Sequence, residues 1–174
     1  RIPVTSEEVS DYLKQAVIAT EDETFETHNG VVPKAVLRAA LGSIGLGSSS
    51  GGSTLTQQLI KQQLVGDAPT FTRKANEIVS ALALERNMTK NEILTIYLNV
   101  SPFGRNNQGK NIAGVEAAAR GIFGKTAKEL SVPQAAFIAG LPQSPIVYSQ
   151  YASDGTRKSA DDMIYGIERY QDVL

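Results

Sequence analysis

The feature that most limits the fold of this chain is a helix-start signal that recurs along it. In this signal a Ser or Thr precedes a Glu or Gln by three positions, and the two residues cap a helix N-terminus reciprocally. The pairs are Thr5 with Glu8, Thr54 with Gln57, Thr89 with Glu92, and Ser131 with Gln134. Apolar residues at helical spacing follow each pair, and no segment shows clear strand alternation. The sequence therefore predicts a mainly α-helical domain.

The same apolar pattern predicts where the helices lie. One runs from the Thr5 cap to about residue 20, and a second follows Pro33, which suits a first helical turn. Further helices are predicted over 54–64, 71–86, from the Thr89 cap, over 113–123 and 131–140, and from 159 onward. In the 71–86 helix, the apolar residues Ala75, Ile78, Val79 and Leu82 are predicted to face inward. Segment 101–111 is predicted to be a loop and 141–145 an extended segment.

Length and composition restrict the class of protein. The 174 residues, 41% of them hydrophobic and 20% charged, suffice for one globular domain with a core. A net charge of −1 gives no overall basic field, so no nucleic-acid partner is expected. With no cysteine and one histidine, disulfides, cysteine chemistry and multi-histidine metal sites are excluded. No apolar run approaches the roughly 18 residues of a membrane span. Because the sequence starts at Arg1, we expect residues 1–174 to be an excised or processed domain.

The run from Glu21 to Gly30 has a composition that packing does not require. It holds four carboxylates, Phe25, the only histidine of the chain and a closing glycine. Acids that follow a helix oppose its macrodipole, so we expect Glu21 and Asp22 to serve something other than local stability. We predict that Glu21 is a catalytic base; a solvated acidic turn is the alternative. His28 is predicted to hold the turn rather than to catalyse.

Basic side chains gather on two of the predicted helices. Lys61 lies on one, and Arg73 and Lys74 lie on the next, where they could together bind a phosphate or diphosphate. Arg73 and Glu77 are four residues apart and so share a helix face, for which a surface ion pair is the simpler interpretation. The Gly/Ser-rich run 45–53 precedes this region and is either a flexible linker or a functional flap.

These segments, in this order, resemble the peptidoglycan glycosyltransferases, glycosyltransferase family 51, of class A bifunctional penicillin-binding proteins and monofunctional glycosyltransferases. The resemblance covers most of the chain. The matching segments are Glu21-Asp22-x-x-Phe25-x-x-His28-x-Gly30, 52–58 with Lys61, Arg73-Lys74-x-x-Glu77, Lys90-x-x-Ile93-Leu94-x-x-Tyr97-Leu98-Asn99, 114–125 and 139–142. The resemblance implies a lysozyme-like helical lobe with a smaller membrane-proximal lobe.

The resemblance also implies an inverting enzyme that polymerises lipid II into glycan strands and releases polyprenyl diphosphate. Glu21 would be the general base toward the acceptor hydroxyl, and Glu77 would orient the diphosphate-binding cluster or assist the leaving group. The implied substrate-binding residues are Asp22, Ser53, Thr54, Gln57, Gln58, Lys61, Arg73 and Lys74. The family allows a divalent cation, Mg²⁺ or Mn²⁺, on the substrate diphosphate, whereas the sequence contains no dedicated metal site.

The implied partners are lipid II, the growing glycan strand and the outer, extracytoplasmic face of the cell membrane. A transpeptidase domain is expected in the full-length chain. Apolar faces near Leu46, Leu59 or Leu64 are candidates for lipid contact, with a buried core face as the alternative. Two other functions stay open. A lysozyme-like glycan-cleaving enzyme would need no diphosphate site, and a catalytically silent glycan-binding module would not need Glu21 and Glu77.

Overall fold

A computed structural model describes residues 2–43, 52–63 and 70–174. The helices of this part are α1 Asp11–Glu21, α2 Pro33–Ser43, α3 Leu55–Gln63, α4 Thr70–Asn87, α5 Lys90–Val100, α6 Val115–Ala118, α7 Val132–Gly140, α8 Pro145–Tyr148 and α9 Ile164–Val173. Short 3-10 turns lie at Ser6–Glu8 and Ala127–Glu129, and a π-helical turn lies at Ala119–Phe123. Strands β1 Pro102–Arg105 and β2 Asn111–Ala113 pair antiparallel. The predicted mainly α-helical fold is confirmed.

The chain divides into two compact units, of which the first contains residues 1–21 and 95–174. Within it, α1 packs on α7, and α7 packs on α9. Helix α1 buries Leu13 and Val17, which are four residues apart and therefore share a face. The buried face of α7 is built mainly from small residues, among them Ala135, Ala139 and Gly140. Small side chains let the neighbouring helices approach α7 closely.

The second unit contains residues 22–94, and in it α3 packs on α4. Its core includes Phe25, Leu55 and Ala81, all with no exposed surface. Gly30 has φ +111°, and a Cβ there would lie 2.7 Å from the Ala81 carbonyl oxygen. Glycine is therefore required where the acidic run meets α4.

Two predicted helix starts are displaced. The Thr5–Glu8 capping box forms, with the Thr5 N–H donating to Glu8 Oε1 at 3.0 Å. It closes only a 3-10 turn, because Val9 is extended, and α1 begins at Asp11. Likewise Ser159 accepts the Asp162 N–H at 3.3 Å, but α9 begins at Ile164. A capping box satisfies the first N–H groups without fixing how far the helix continues.

Two predicted irregular segments have regular structure. The predicted loop 101–111 contains β1 and the start of β2, which bury Phe103 and Ile112. Strands of four and three residues are too short to show a recognisable alternation of apolar and polar residues in the sequence. The predicted extended segment 141–145 is a turn into α8, since Leu141 is helical and the Ser144 N–H donates to its carbonyl at 3.2 Å.

The predicted inward face of α4 is wrong at two positions. Ala75 is exposed and Val79 is 66% exposed, whereas Glu77 and Ala81 are buried. The apolar pattern failed because this helix buries an acid. Among the candidates for lipid contact, Leu59 is 4% exposed and belongs to the core. Leu46, Leu64 and most of the Gly/Ser-rich run lie outside the described residues.

Candidate active site

Glu21 is the last residue of α1, and its side chain is 8% exposed. Arg169 of α9 donates from Nη2 to Glu21 Oε1 at 3.4 Å and from Nε to the Gly140 carbonyl at 3.2 Å. A carboxylate in the last turn of a helix lies at the negative end of the macrodipole. Helix α1 has no basic residue in its own last turn, so Arg169 supplies the compensating charge from another helix.

Tyr97 is a second neighbour of Glu21 in the first unit, and the two side chains interact electrostatically. It lies on α5 and has no exposed surface. Burial raises the pKa of its hydroxyl, the negative charge of Glu21 raises it further, and a hydrogen bond with Ser101 acts in the opposite direction. Tyr97 is therefore uncharged at neutral pH, and Arg169 is an ion-pair partner of Glu21.

In the second unit, the structure brings together three of the predicted site residues, Ser53, Lys74 and Glu77. Glu77 is 5% exposed, and its Oε1 accepts a hydrogen bond from Lys74 Nζ at 3.0 Å. The same ammonium donates to Ser53 Oγ at 3.2 Å. Gln58 Nε2 donates to the Ser53 carbonyl at 3.3 Å. Glu77 thus has Lys74 as its ion-pair partner rather than Arg73, which is exposed.

Asp22 and His28 lie at the centre of a buried network in the second unit. His28 Nε2 donates to Asp22 Oδ2 at 2.5 Å, and the same oxygen accepts the Leu55 N–H at 3.0 Å. The Gly30 N–H donates to His28 Nδ1 at 2.9 Å. With Nδ1 accepting this bond, the ring is held between Asp22 and the Gly30 backbone. This geometry matches the predicted structural role of His28.

Thr54 and Gln57 fix the N-terminus of α3. Thr54 Oγ1 donates to the Gly30 carbonyl at 2.6 Å and accepts the Gln57 N–H at 3.0 Å. Gln57 Oε1 in turn accepts the Thr54 N–H at 2.9 Å, which completes the predicted capping box. Each of these two residues is 1% exposed. Their polar atoms therefore hold the acidic run against α3, as those of Asp22 do.

The structure adds three residues to which sequence reasoning gave no role. Lys90 Nζ donates to the His28 carbonyl at 2.7 Å and to Glu85 Oε1 at 2.8 Å, and lies 4.6 Å from the centre of the Phe25 ring. Lys90 stands in a family motif, which was a usable signal. Glu85 stands in none, and Arg169 is 148 residues from Glu21, so no pattern pointed to either.

Comparison with known proteins identifies the family. The Transglycosylase family model matches residues 1–168. Penicillin-binding protein 1F of Bacillus subtilis is 36% identical over 175 residues, which cover 100% of this chain and 24% of the relative. Penicillin-binding protein 1A of Escherichia coli is 40% identical over 150 residues (86% and 17%), and that of Clostridium botulinum is 42% identical over 158 residues (88% and 18%). The chain spans about a quarter or less of the length of these relatives.

The chain therefore belongs to the transglycosylase family. The predicted resemblance to the glycosyltransferase domain of class A penicillin-binding proteins is confirmed, and the general activity is that of a peptidoglycan glycosyltransferase.

Proposed function

We propose that the domain polymerises lipid II into glycan strands, with inversion at the donor sugar and release of polyprenyl diphosphate. The observation that carries the proposal is the charge arrangement on α3 and α4, which pack together. Glu77 is buried and neutralised by Lys74, whereas Lys61 in the last turn of α3 and Arg73 in the first turn of α4 are exposed. Two cations therefore remain available to an anionic leaving group. A hydrolase that cleaves glycan would release no diphosphate and would not need them.

In the proposed reaction, Glu21 takes the proton from the 4-hydroxyl of the acceptor sugar. The oxygen attacks the anomeric carbon of the donor from the side opposite its diphosphate. The new glycosidic bond forms as the bond to the diphosphate oxygen breaks, and the electron pair leaves with the diphosphate. Lys61 and Arg73 stabilise that developing charge. Lys74 orients Glu77 and Ser53, and Gln58 fixes the Ser53 backbone.

A divalent cation, Mg²⁺ or Mn²⁺, would belong to the substrate in this proposal. Among the described residues, no group of three or more His, Cys, Asp or Glu side chains is placed to hold a metal ion. In this proposal the cation takes its ligands mainly from the diphosphate, and no protein residue is assigned to it.

Incubation of the protein with lipid II tests the proposal. We expect polymeric glycan, released polyprenyl diphosphate and a product linkage inverted relative to the donor. The same protein is incubated with preformed glycan to test the lysozyme-like alternative. Cleavage of that glycan without polymer from lipid II would overturn the proposal in favour of a hydrolase. The absence of both reactions would overturn it in favour of a glycan-binding module.

Replacing Lys61 by Ala tests the diphosphate assignment. We expect kcat/KM for lipid II to fall on the order of 10- to 100-fold, because a charge-assisted contact to the leaving group contributes about 1.5–3 kcal/mol. Lys125→Ala is the matched control, since it removes an exposed lysine from the first unit. Initial rates with labelled lipid II measure both variants. Equal losses in the two would count against a diphosphate site at Lys61.

We propose that the second unit contacts the outer face of the cytoplasmic membrane. On α4, Phe71 is 86% and Val79 66% exposed, and their spacing of eight places them on one face. On α2, Leu37 is 61% exposed. The charged residues of this helix are Lys34 and Arg38, and both are exposed. Exposed apolar side chains beside cations suit an anionic lipid surface. No helix among the described residues is long and apolar enough to cross a membrane.

Phe71→Asp tests this contact. Losing one inserted aromatic and adding a charge should weaken binding to phosphatidylglycerol-containing vesicles at least about tenfold, since burying a large apolar side chain is worth roughly 1.5–3 kcal/mol. Vesicle co-sedimentation measures the binding. Val132→Asp, at a 51% exposed position of the first unit, is the control and should bind as the unmodified protein does. A similar loss in both variants would contradict a specific membrane surface on α4.

The longer relatives suggest further domains in the complete protein. We propose that one is a transpeptidase domain, as the resemblance to class A penicillin-binding proteins implies. Mass spectrometry after incubating the complete protein with a labelled penicillin tests this, and a covalent adduct outside residues 1–174 is the expected result.

A further inference from the structure

Arg169 lies on α9, and its side chain contacts the last residues of two other helices, α1 and α7. This side chain is 16% exposed. Its Nη2 reaches the carboxylate of Glu21, the last residue of α1, at 3.4 Å. Its Nε donates to the carbonyl of Gly140, the last residue of α7, at 3.2 Å. Neither α1 nor α7 has a basic residue in its own last turn, so this guanidinium serves both helix ends.

We infer that Arg169 is the positioning residue of the Glu21 carboxylate, which rests on the proposed role of Glu21 as the base. The guanidinium is planar, permanently charged and carries its donors in a fixed arrangement. Its bond to the Gly140 carbonyl anchors that plane to α7, and the second donor then fixes the direction in which Oε1 is held. Arg169 acts on the acceptor sugar only through Glu21.

Gly140 provides the room for this arrangement. A Cβ at position 140 would lie 3.1 Å from Arg169 Cγ and 3.4 Å from Val173 Cγ2. The backbone of Gly140 is part of α7 and has no positive φ, so alanine is compatible with the helix itself. Gly140→Ala therefore moves the Arg169 side chain while leaving its charge in place.

The test compares Arg169→Met, Arg169→Lys and Gly140→Ala in lipid II polymerisation. Methionine keeps an unbranched apolar stem and removes the charge, so kcat should fall on the order of 10- to 100-fold while KM for lipid II stays close to that of the unmodified protein. Lysine restores the charged contact to Glu21 without the fixed donor arrangement and should recover part of kcat. Gly140→Ala should lower kcat at least several-fold. Arg157→Met, the same change at an exposed position of the first unit, should leave kcat unchanged.

Thermal unfolding of Arg169→Met, Glu21→Ala and the double variant tests the contact itself. The sum of the two single losses in stability should exceed the loss in the double variant, because each single change removes the same interaction. A wild-type kcat in Arg169→Met, with Glu21→Gln inactive, overturns the inference and leaves the proposed function standing. Activity in Glu21→Gln overturns the proposed function and the inference with it. If Arg169→Met does not fold, a wild-type kcat in Gly140→Ala overturns the inference.

Discussion

Glu21→Gln should reduce the rate of lipid II polymerisation on the order of 10²- to 10⁴-fold, the range that general acid–base catalysis contributes. The amide cannot take the proton of the acceptor hydroxyl at neutral pH. It can still accept the hydrogen bond that Arg169 donates to Oε1, so the end of α1 should keep its structure. The initial rate with labelled lipid II measures the loss, and far-UV circular dichroism verifies the fold.

Glu23 and Glu26 provide matched controls within the same acidic run. Both are exposed, so their replacement by Gln removes the same charge without touching the base. We expect polymerisation rates close to those of the unmodified protein. A loss in Glu23→Gln as large as that in Glu21→Gln would show that the run acts through its total charge rather than through one positioned carboxylate.

The fold was predictable where its signals are local. The capping boxes at Thr54 and Thr89 start helices where the sequence placed them, because each box joins residues three positions apart. The box at Thr5 and the Ser159 cap show the limit of such signals, since both form and yet close only single turns. Whether a turn continues into a helix depends on tertiary packing, which short-range patterns do not contain.

The contacts among the predicted site residues were only partly predictable from the sequence. The family motifs identified Ser53, Lys74 and Glu77, and the structure brings these three together. The sequence analysis paired Glu77 with Arg73, four positions away. Positions three and four apart are both neighbours on a helix, so spacing alone does not decide between Lys74 and Arg73. The choice of Lys74 follows from Ser53, which lies outside α4 and provides the ammonium with a second acceptor.

The inward face of α4 and the partner of Glu21 were not predictable for a different reason. Apolar periodicity assumes that buried positions are apolar, and α4 instead buries Glu77 and exposes Val79. A buried acid and an exposed apolar side chain both reverse the usual pattern. Arg169 lies 148 residues from Glu21, and the tertiary packing of α1, α7 and α9 brings the two together.

Asp22→Ala should destabilise the protein by about 3 kcal/mol or more, because it leaves two buried donors without their acceptor. Both the His28 ring and the Leu55 N–H donate to one oxygen, Asp22 Oδ2. Asp22→Asn can place its carbonyl oxygen at that position and keep both bonds, so it should cost less than about 1.5 kcal/mol. Urea unfolding followed by circular dichroism measures both, with Glu23→Ala as the exposed control.

The pair of variants also separates two roles for Asp22. Its side chain is 4% exposed and accepts hydrogen bonds from Thr24, His28 and Leu55, all of the second unit. If Asp22 supports the site by holding α3 and the acidic run together, Asp22→Asn should keep most of its polymerisation rate. If instead its negative charge acts on the substrate, Asp22→Asn should be stable and yet poorly active. A stable, inactive Asp22→Asn would therefore assign Asp22 to the chemistry, and a stable, active one would assign it to the scaffold.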